Sequence, residues 1–337
     1  MLKLDYGPGK NGAQGRKALE PVQALARIWA LRIMTEMGRL EDPGLQYADT
    51  LRQTGLMDCD TSRGEVFKVL NSGVRIRQQL ARLTSNCPPM KCPLSDNMSL
   101  LGKQFDLTVP EGAAMACMSV FWGISWFQDF VRGVVRDGGL PDQSHCFAAA
   151  TGLSPYVLQQ AMSPGGRLLR LGLLVPRTPE ARDNPCDLRL PFMLSSTILA
   201  RRLGDDYIEQ QSVRAVPEPE CAMTDFDLES PSLRLISQAL RAFGSENSGN
   251  GQILLHGHPG GGKTQFVRTL AHHLGLCLKE IPESAHDAIA LNPTDRLQRF
   301  VLAQSLLEDR PETMLIFDEA DQVLAWPAQA AGRDLES

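Results

Sequence analysis

The feature that most constrains this chain is a glycine-rich octapeptide between a short apolar run and an amphipathic segment. It reads Gly257-His258-Pro259-Gly260-Gly261-Gly262-Lys263-Thr264 and fits the phosphate-binding pattern G-x-x-x-x-G-K-[ST]. The apolar run before it, residues 252–256, predicts a buried strand, and residues 265–271 after it predict a helix. In a strand, glycine loop and helix of this kind, backbone N–H groups and a helix N-terminus can bind a phosphate group.

The side chains at the end of the octapeptide supply the other groups that a bound nucleotide requires. The ammonium of Lys263 can reach the β- and γ-phosphates, and the hydroxyl of Thr264 can bind Mg²⁺. We therefore expect residues 257–265, including Gln265 at the start of the predicted helix, to bind ATP together with Mg²⁺.

A second motif agrees with the first. The apolar run 314–317 predicts another strand, and it ends in two carboxylates, Asp318 and Glu319. A carboxylate at the end of a buried strand is costly unless a cation or a water compensates for it. We expect Asp318 to hold Mg²⁺, through water, and Glu319 to polarise an attacking water.

Together, residues 257–264 and Phe317-Asp318-Glu319-Ala320-Asp321 resemble the Walker A and Walker B motifs of AAA+ ATPases. The usual loop of that family is Gly-Pro-Pro-Gly-Thr-Gly-Lys-Thr, from which this chain departs at His258 and Gly261. The four residues Asp318-Glu319-Ala320-Asp321 are also similar to the motif of DEAD-box helicases. Their distance along the chain from the glycine loop is, however, shorter than in those helicases. The resemblance implies ATP hydrolysis with Lys263 and Glu319 as catalytic residues and with Thr264 and Asp318 at the metal.

The resemblance also implies an extent, an assembly and a role. It covers roughly residues 224–325, and the chain stops at Ser337, before the family's sensor residue, its arginine that reaches a neighbouring subunit, and its helical lid. The expectation is therefore a truncated core that binds Mg-ATP weakly and hydrolyses it poorly alone. Complete members form homo-oligomeric rings and remodel or regulate protein partners. Phe226 or Leu228, before the first strand, is expected either to border the adenine or only to pack.

The rest of the chain predicts a mostly α-helical N-terminal region before this partial α/β P-loop NTPase core with its parallel sheet. In the N-terminal part, the patterns predict single helices at 62–83 and 111–135 and an apolar strand at 168–175. In the core, they predict a strand at 277–281 and a helix at 296–307 with Leu297 on its sheet-facing side.

We divide the chain into a helical region (1–139), a winged-helix-like domain (140–210), a linker (211–223) and the partial ATPase core (224–337). In a winged helix the second helix can enter the DNA major groove. Four side chains could then read or contact DNA, namely Gln159, Gln160, Arg167 and Arg170.

Composition sets the remaining expectations. A formal net charge of −5 is not typical of a protein that coats nucleic acid, and the start of the chain does not fit a secretory signal. The apolar segment Gly112–Phe127 is shorter than a membrane span and predicts a buried helix. Eight scattered cysteines in a chain without an export signal predict reduced thiols, so we expect a cytoplasmic location. Cys87 and Cys92 are the one close cysteine pair, and either half of a zinc site or free thiols in a proline-rich loop fits them.

Three functional hypotheses follow from the sequence. The first is an AAA+ ATPase whose N-terminal regions recruit a protein partner or substrate. The second is a DNA-binding winged-helix regulator in which the nucleotide acts as a switch. The third is an inactive truncated remnant that binds ATP but does not hydrolyse it.

Overall fold

The computed structural model describes residues 12–38, 40, 46–57, 62–85, 92–176, 188–195, 197–226, 231–243, 251–258, 260–284, 291–310 and 312–324. The chain divides into two compact units, Met1–Asp205 and Asp206–Ser337. The predicted glycine loop and the predicted acidic motif both belong to the second unit.

The first unit is built almost entirely of helices. They are α1 (Gly12–Glu36), α2 (Tyr47–Gln53), α3 (Arg63–Leu70), α4 (Gly73–Ser85), α5 (Pro93–Gln104), α6 (Val109–Gly123), α7 (Ser125–Arg136), α8 (Gln143–Thr151), α9 (Pro155–Ala161), α10 (Arg167–Arg170) and α11 (Phe192–Ser195). Two short strands, β1 (Val175–Pro176) and β2 (Leu188–Arg189), pair antiparallel.

Apolar helix faces meet in the core of this unit, which contains several buried aromatic side chains. Helix α1 packs on α4 and α8, and α6 packs on α9. The rings of Trp29 and Phe127 lie 6.3 Å apart, and those of Phe121 and Phe147 lie 6.0 Å apart. Buried rings at such separations stabilise the core by more than the burial of their apolar area alone.

Two segments predicted as single helices are each broken into two. The segment 62–83 becomes α3 and α4, and Ser62 caps α3 through a reciprocal pair of hydrogen bonds with Glu65. The segment 111–135 becomes α6 and α7, separated by the extended residue Ile124. In the part of the chain that the structure describes, no helix is both long enough and apolar enough to cross a membrane.

Helix α8 begins at a well-bonded aspartate. Asp142 accepts hydrogen bonds from the backbone N–H of His145 at 3.0 Å, from the His145 ring at 2.9 Å and from the Ser144 hydroxyl at 2.5 Å. Burial raises the pKa of Asp142, but these hydrogen bonds outweigh burial, and the pKa of this carboxyl is lowered from its ordinary value. The carboxylate form therefore stabilises the start of the helix.

The segment predicted as a winged helix has part of that order of elements. Helices α8 and α9 are joined by a turn in which Gly152 has a φ of +81°, and β1 and β2 follow. The apolar run 168–175 was predicted as a strand, but Arg167–Arg170 is helical and only Val175–Pro176 is extended. The winged-helix interpretation and the domain boundaries built on it stay predictions.

The second unit surrounds a small sheet. Its elements are α12 (Tyr207–Ser212), β3 (Arg214–Ala215), a 3-10 turn (Met223–Asp225), α13 (Pro231–Phe243), α14 (Lys263–His273), β4 (Cys277–Glu280), α15 (Pro293–Leu307), β5 (Thr313–Ile316) and α16 (Ala320–Leu324). The two strands predicted at 277–281 and 314–317, and the helix predicted after the glycine loop, are confirmed.

The sheet is mixed, and the prediction of a parallel sheet is therefore wrong in one respect. Strands β4 and β5 are parallel, with Cys277 opposite Thr313, but β3 and β4 are antiparallel, with Arg214 opposite Glu280. Strand β3 lies within the segment predicted as a linker, and its pairing is reinforced by an ion pair of 2.6 Å between Arg214 and Glu280.

The strand predicted at residues 252–256 does not form. The segment has no strand pairing, and its side chains are largely exposed, with Leu254 76% exposed. A run that is apolar on both faces forms a stable strand only where both faces are covered and an edge is available for pairing. Among the described residues, this run is not covered, and it does not pair with the free edge of β5.

The core of the second unit lies between the sheet and α15. Four buried residues, Val213, Ile281, Ala303 and Leu307, pack with the partly buried Phe300, Leu306, Leu315 and Phe317. The prediction that Leu297 faces the sheet is wrong, because this side chain is 46% exposed. The helix instead turns Arg296 and Arg299 inward.

Candidate functional site

The glycine loop leads into α14 through backbone conformations that favour glycine. Gly257, Gly260 and Gly262 have φ values of +155°, +75° and +76°, and Gly262 is the N-terminal cap of α14. Side chains with a Cβ are strained in this region of φ. These three positions therefore favour glycine, which the sequence has at each of them. Pro259 lies outside the described residues.

The ammonium of Lys263 lies within its own loop. Its Nζ donates hydrogen bonds to the carbonyl oxygens of Gly257 at 3.0 Å and His258 at 2.9 Å. The N–H of Gly261 donates to the same His258 carbonyl at 3.2 Å. The lysine charge is thereby held at the point where the loop turns, next to the N-terminus of α14.

Thr264 and Asp318, which are 54 residues apart in the chain, are in direct contact. The Thr264 hydroxyl donates a hydrogen bond of 2.8 Å to Oδ2 of Asp318. Thr264 is in the first turn of α14, and Asp318 follows the end of β5. The structure therefore brings together the two side chains that were predicted to bind Mg²⁺.

Glu319 has an unusual backbone conformation beside this contact. Its φ is +48°, and its N–H donates a hydrogen bond of 2.9 Å to Oδ1 of Asp318. A non-glycine residue in the left-handed region is strained, and such residues cluster at functional sites. The Glu319 side chain is exposed, whereas Asp318 is half-buried.

Arg296, which was not among the predicted site residues, contacts the same turn. This residue is only 3% exposed, and its Nη2 donates a hydrogen bond of 2.7 Å to the backbone carbonyl of Asp318. Its guanidinium lies 4.8 Å from the centre of the Phe317 ring, which also packs edge-on against Phe300 at 5.2 Å. No local pattern in the sequence distinguishes Arg296 from the nearby Arg299.

A buried carboxylate, also missed from the sequence, connects α14 to the sheet. Glu280 on β4 has a side chain that is 8% exposed, and it lies 2.6 Å from Arg214 on β3 and 3.5 Å from Arg268 on α14. Removing one partner of a buried ion pair leaves an uncompensated charge and is strongly destabilising. This cluster therefore fixes the helix that carries Lys263 and Thr264 against β4.

Two further residues near the loop have defined surroundings. The ring of Phe226 packs edge-on against Phe266 of α14, with 5.3 Å between centroids. The buried Oε1 of Gln265 has no hydrogen-bond partner among the described residues. Phe226 therefore has a packing contact, and its role beside an adenine, like that of Gln265 toward a nucleotide, stays a prediction. Leu228 lies outside the described residues.

The residues considered for DNA and zinc have other surroundings. Arg167 donates hydrogen bonds to the carbonyl oxygens of Asp106 at 2.5 Å and Phe105 at 2.6 Å, so its guanidinium closes a loop of the first unit. Cys92 is buried, and Cys87 lies outside the described residues. Among the residues that are described, no three His, Cys, Asp or Glu side chains form a group suited to a metal ion.

Comparison with known families gives one finding. Residues 253–334 match the family described as "ATPase family associated with various cellular activities (AAA)". This match supports an ATP-binding AAA+ protein. The chain matches no curated protein and no solved structure. The matched residues include the glycine loop, α14, β4, α15 and β5. They also include the turn that carries Asp318 and Glu319, which we call the acidic turn.

Proposed function

We propose that the chain binds ATP with Mg²⁺ through residues 257–265 and hydrolyses it with Glu319 as the group that activates water. The observation that carries this proposal is the 2.8 Å contact between the Thr264 hydroxyl and the Asp318 carboxylate, one residue from Lys263. The same arrangement leaves Glu319, adjacent to Asp318, exposed.

The donor atoms at this contact fit Mg²⁺. Thr264 and Asp318 offer hard oxygen ligands, and Mg²⁺ in nucleotide sites uses one or two protein oxygens together with phosphate oxygens and waters. A cage of three or more acidic side chains is not needed for such a site. When bound, the ion would neutralise part of the negative charge that develops on the phosphate oxygens.

The remaining groups of the site have separate proposed roles. The N–H groups of the glycine loop and the N-terminus of α14 attract the phosphate oxygens. Lys263 exchanges its two carbonyl partners for phosphate oxygens, since a charge-assisted hydrogen bond to an anion is the stronger one. Glu319 orients the water that attacks the γ-phosphate.

The proposed use of hydrolysis follows from the AAA+ resemblance. ATP turnover in that family drives the remodelling or regulation of a protein partner, and the helical first unit is the region that we propose recruits it. If the chain assembles as a ring, ATP with Mg²⁺ should shift its mass, measured by light scattering, to a multiple of 37.0 kDa.

The test is calorimetric titration of ATP with Mg²⁺ into the wild-type chain and two lysine variants. Lys263→Ala removes the proposed phosphate contact. Lys279→Ala is the matched control, because Lys279 lies on β4 and pairs with Glu209 at 3.5 Å rather than with the loop. The proposal predicts saturable binding by the wild type and by Lys279→Ala, and loss of binding by Lys263→Ala.

Two outcomes separate binding from catalysis. If the wild type does not bind ATP, or if Lys263→Ala binds it as tightly as the wild type, the nucleotide-binding proposal is wrong. If binding holds, phosphate release is compared between the wild type and Glu319→Gln. Equal rates for the two proteins, where the wild type releases phosphate measurably, would contradict the role of Glu319, and no release by the wild type would contradict hydrolysis by this chain.

A further inference from the structure

The turn that carries Asp318 and Glu319 is restrained at three successive residues. The Phe317 ring is packed between Phe300 and the guanidinium of Arg296. The Asp318 carbonyl accepts the 2.7 Å hydrogen bond from Arg296, and the Glu319 N–H is bonded to the Asp318 carboxylate. Arg296 makes two of these restraints.

The burial of Arg296 is energetically demanding. A guanidinium that is 3% exposed loses most of its hydration, and buried charges are normally compensated by an opposite charge. Among the described residues, however, Arg296 forms no ion pair, and its buried Nε has no hydrogen-bond partner. The described hydrogen bond of its side chain is to Asp318, and its described ring contact is with Phe317. Both interactions are therefore made with this turn.

We propose that Arg296 is a positioning residue for the magnesium site, an inference that rests on the proposed function. With the Phe317 ring and the Asp318 carbonyl fixed by Arg296, the backbone of Asp318 cannot rotate freely. One carboxylate oxygen is bonded to the Glu319 N–H, and the other, Oδ2, is therefore directed at the Thr264 hydroxyl. Arg296 acts through Asp318 and does not itself contact the metal.

The chain offers a matched control for this proposal on the same helix. Arg299 is also buried, at 6% exposure, and also donates to a backbone carbonyl, that of Gln211. Its described hydrogen bond is to Gln211 and not to a residue of the turn that carries Asp318 and Glu319. Arg296→Met and Arg299→Met thus remove the same charge from two buried positions, and only the first is expected to disturb the metal site.

The first measurement is the Mg²⁺ dependence of ATP affinity, compared with affinity in excess EDTA. Outer-shell residues that orient metal ligands typically contribute tenfold to a hundredfold to metal affinity. We expect Arg296→Met to raise the Mg²⁺ concentration for half-maximal effect by about tenfold or more, with ATP affinity in EDTA unchanged. Arg296→Lys, which keeps a charge and a donor, should recover part of the response.

The second measurement needs no nucleotide. Amide hydrogen exchange of residues 314–321 reports how firmly the turn is held. We expect faster exchange in Arg296→Met and Arg296→Lys than in the wild type, and no local change there in Arg299→Met. The Lys variant keeps this comparison available if the Met variant does not fold.

These readouts separate the two proposals. If ATP binds the wild type but Arg296→Met keeps the wild-type Mg²⁺ dependence, the positioning role is wrong and the proposed function stands. If the wild type binds no ATP, the proposed function and the magnesium part of this inference are both wrong. Unchanged exchange at 314–321 in Arg296→Met would refute the restraint on the turn in either case.

Discussion

Glu319 gives the sharpest test of the backbone geometry at the acidic turn. Its φ of +48° places a residue with a Cβ in the left-handed region, which costs about 1–2 kcal/mol. Glycine removes that steric cost, but it loses more backbone entropy on folding than alanine does, which destabilises the folded state by about 0.5–1 kcal/mol. Glu319→Gly should therefore be more stable than Glu319→Ala, by about 0.5–1 kcal/mol.

The control is the same pair of substitutions where the backbone is helical. Gln304 is exposed within α15, so Gln304→Gly should be less stable than Gln304→Ala by about 1 kcal/mol. The free energies of unfolding are measured by urea titration followed by circular dichroism. The strain argument predicts opposite signs at the two sites. If Glu319→Gly and Gln304→Gly are both less stable than their alanine counterparts, Glu319 is not strained in solution.

Three other predictions follow from the described contacts. Because the folded pKa of Asp142 is depressed, the wild type should lose stability relative to Asp142→Asn as the pH falls through the ordinary aspartate range and then through the lower folded pKa, in urea titrations at several pH values. Glu280→Gln should lower the free energy of unfolding by about 2 kcal/mol, because two arginines lose a buried carboxylate, whereas Glu209→Gln in the more exposed network should lower it by less than about 1 kcal/mol. Iodoacetamide should label the exposed Cys277 in the native chain but not Cys117, whose thiol pKa is raised by complete burial, and mass spectrometry of peptides after labelling distinguishes the two.

Local sequence patterns were sufficient for the elements that form the core of the candidate site. The glycines at 257, 260 and 262, the helix from Lys263 and the strand before Asp318 each depend on interactions within a few residues. The contact between Thr264 and Asp318 was also predictable, because both side chains are predicted to bind the same Mg²⁺ ion.

What the sequence did not reveal depends on long-range contacts. The antiparallel pairing of β3 is only two residues long, and no periodicity can be read from two residues. The run 252–256 is apolar enough for a strand, but strand formation also requires a free edge and cover on both faces. The burial of Arg296 depends on Phe317, 21 residues away, and a charged residue in the first turn of a helix is ordinarily predicted to be exposed.

The contacts of Arg167 limit its use in testing the DNA hypothesis by mutation. Charge reversal at Arg167 would remove its hydrogen bonds to the carbonyls of Asp106 and Phe105 as well as any contact with DNA. A loss of DNA binding in that variant would therefore report folding of the first unit as readily as recognition. Arg170 is the more informative position, provided that the free energy of unfolding of the variant is measured in parallel.

The most direct test of the account is titration of ATP into the wild type and Thr264→Val, each in Mg²⁺ and in excess EDTA. Valine is similar to threonine in shape but lacks the hydroxyl that contacts Asp318. The account predicts that Mg²⁺ strengthens ATP binding by the wild type, that Thr264→Val loses at least about tenfold of that enhancement, and that the two proteins bind alike in EDTA. Equal Mg²⁺ enhancement in the two proteins, or no ATP binding by the wild type, would contradict the proposal that these two side chains form a magnesium-nucleotide site.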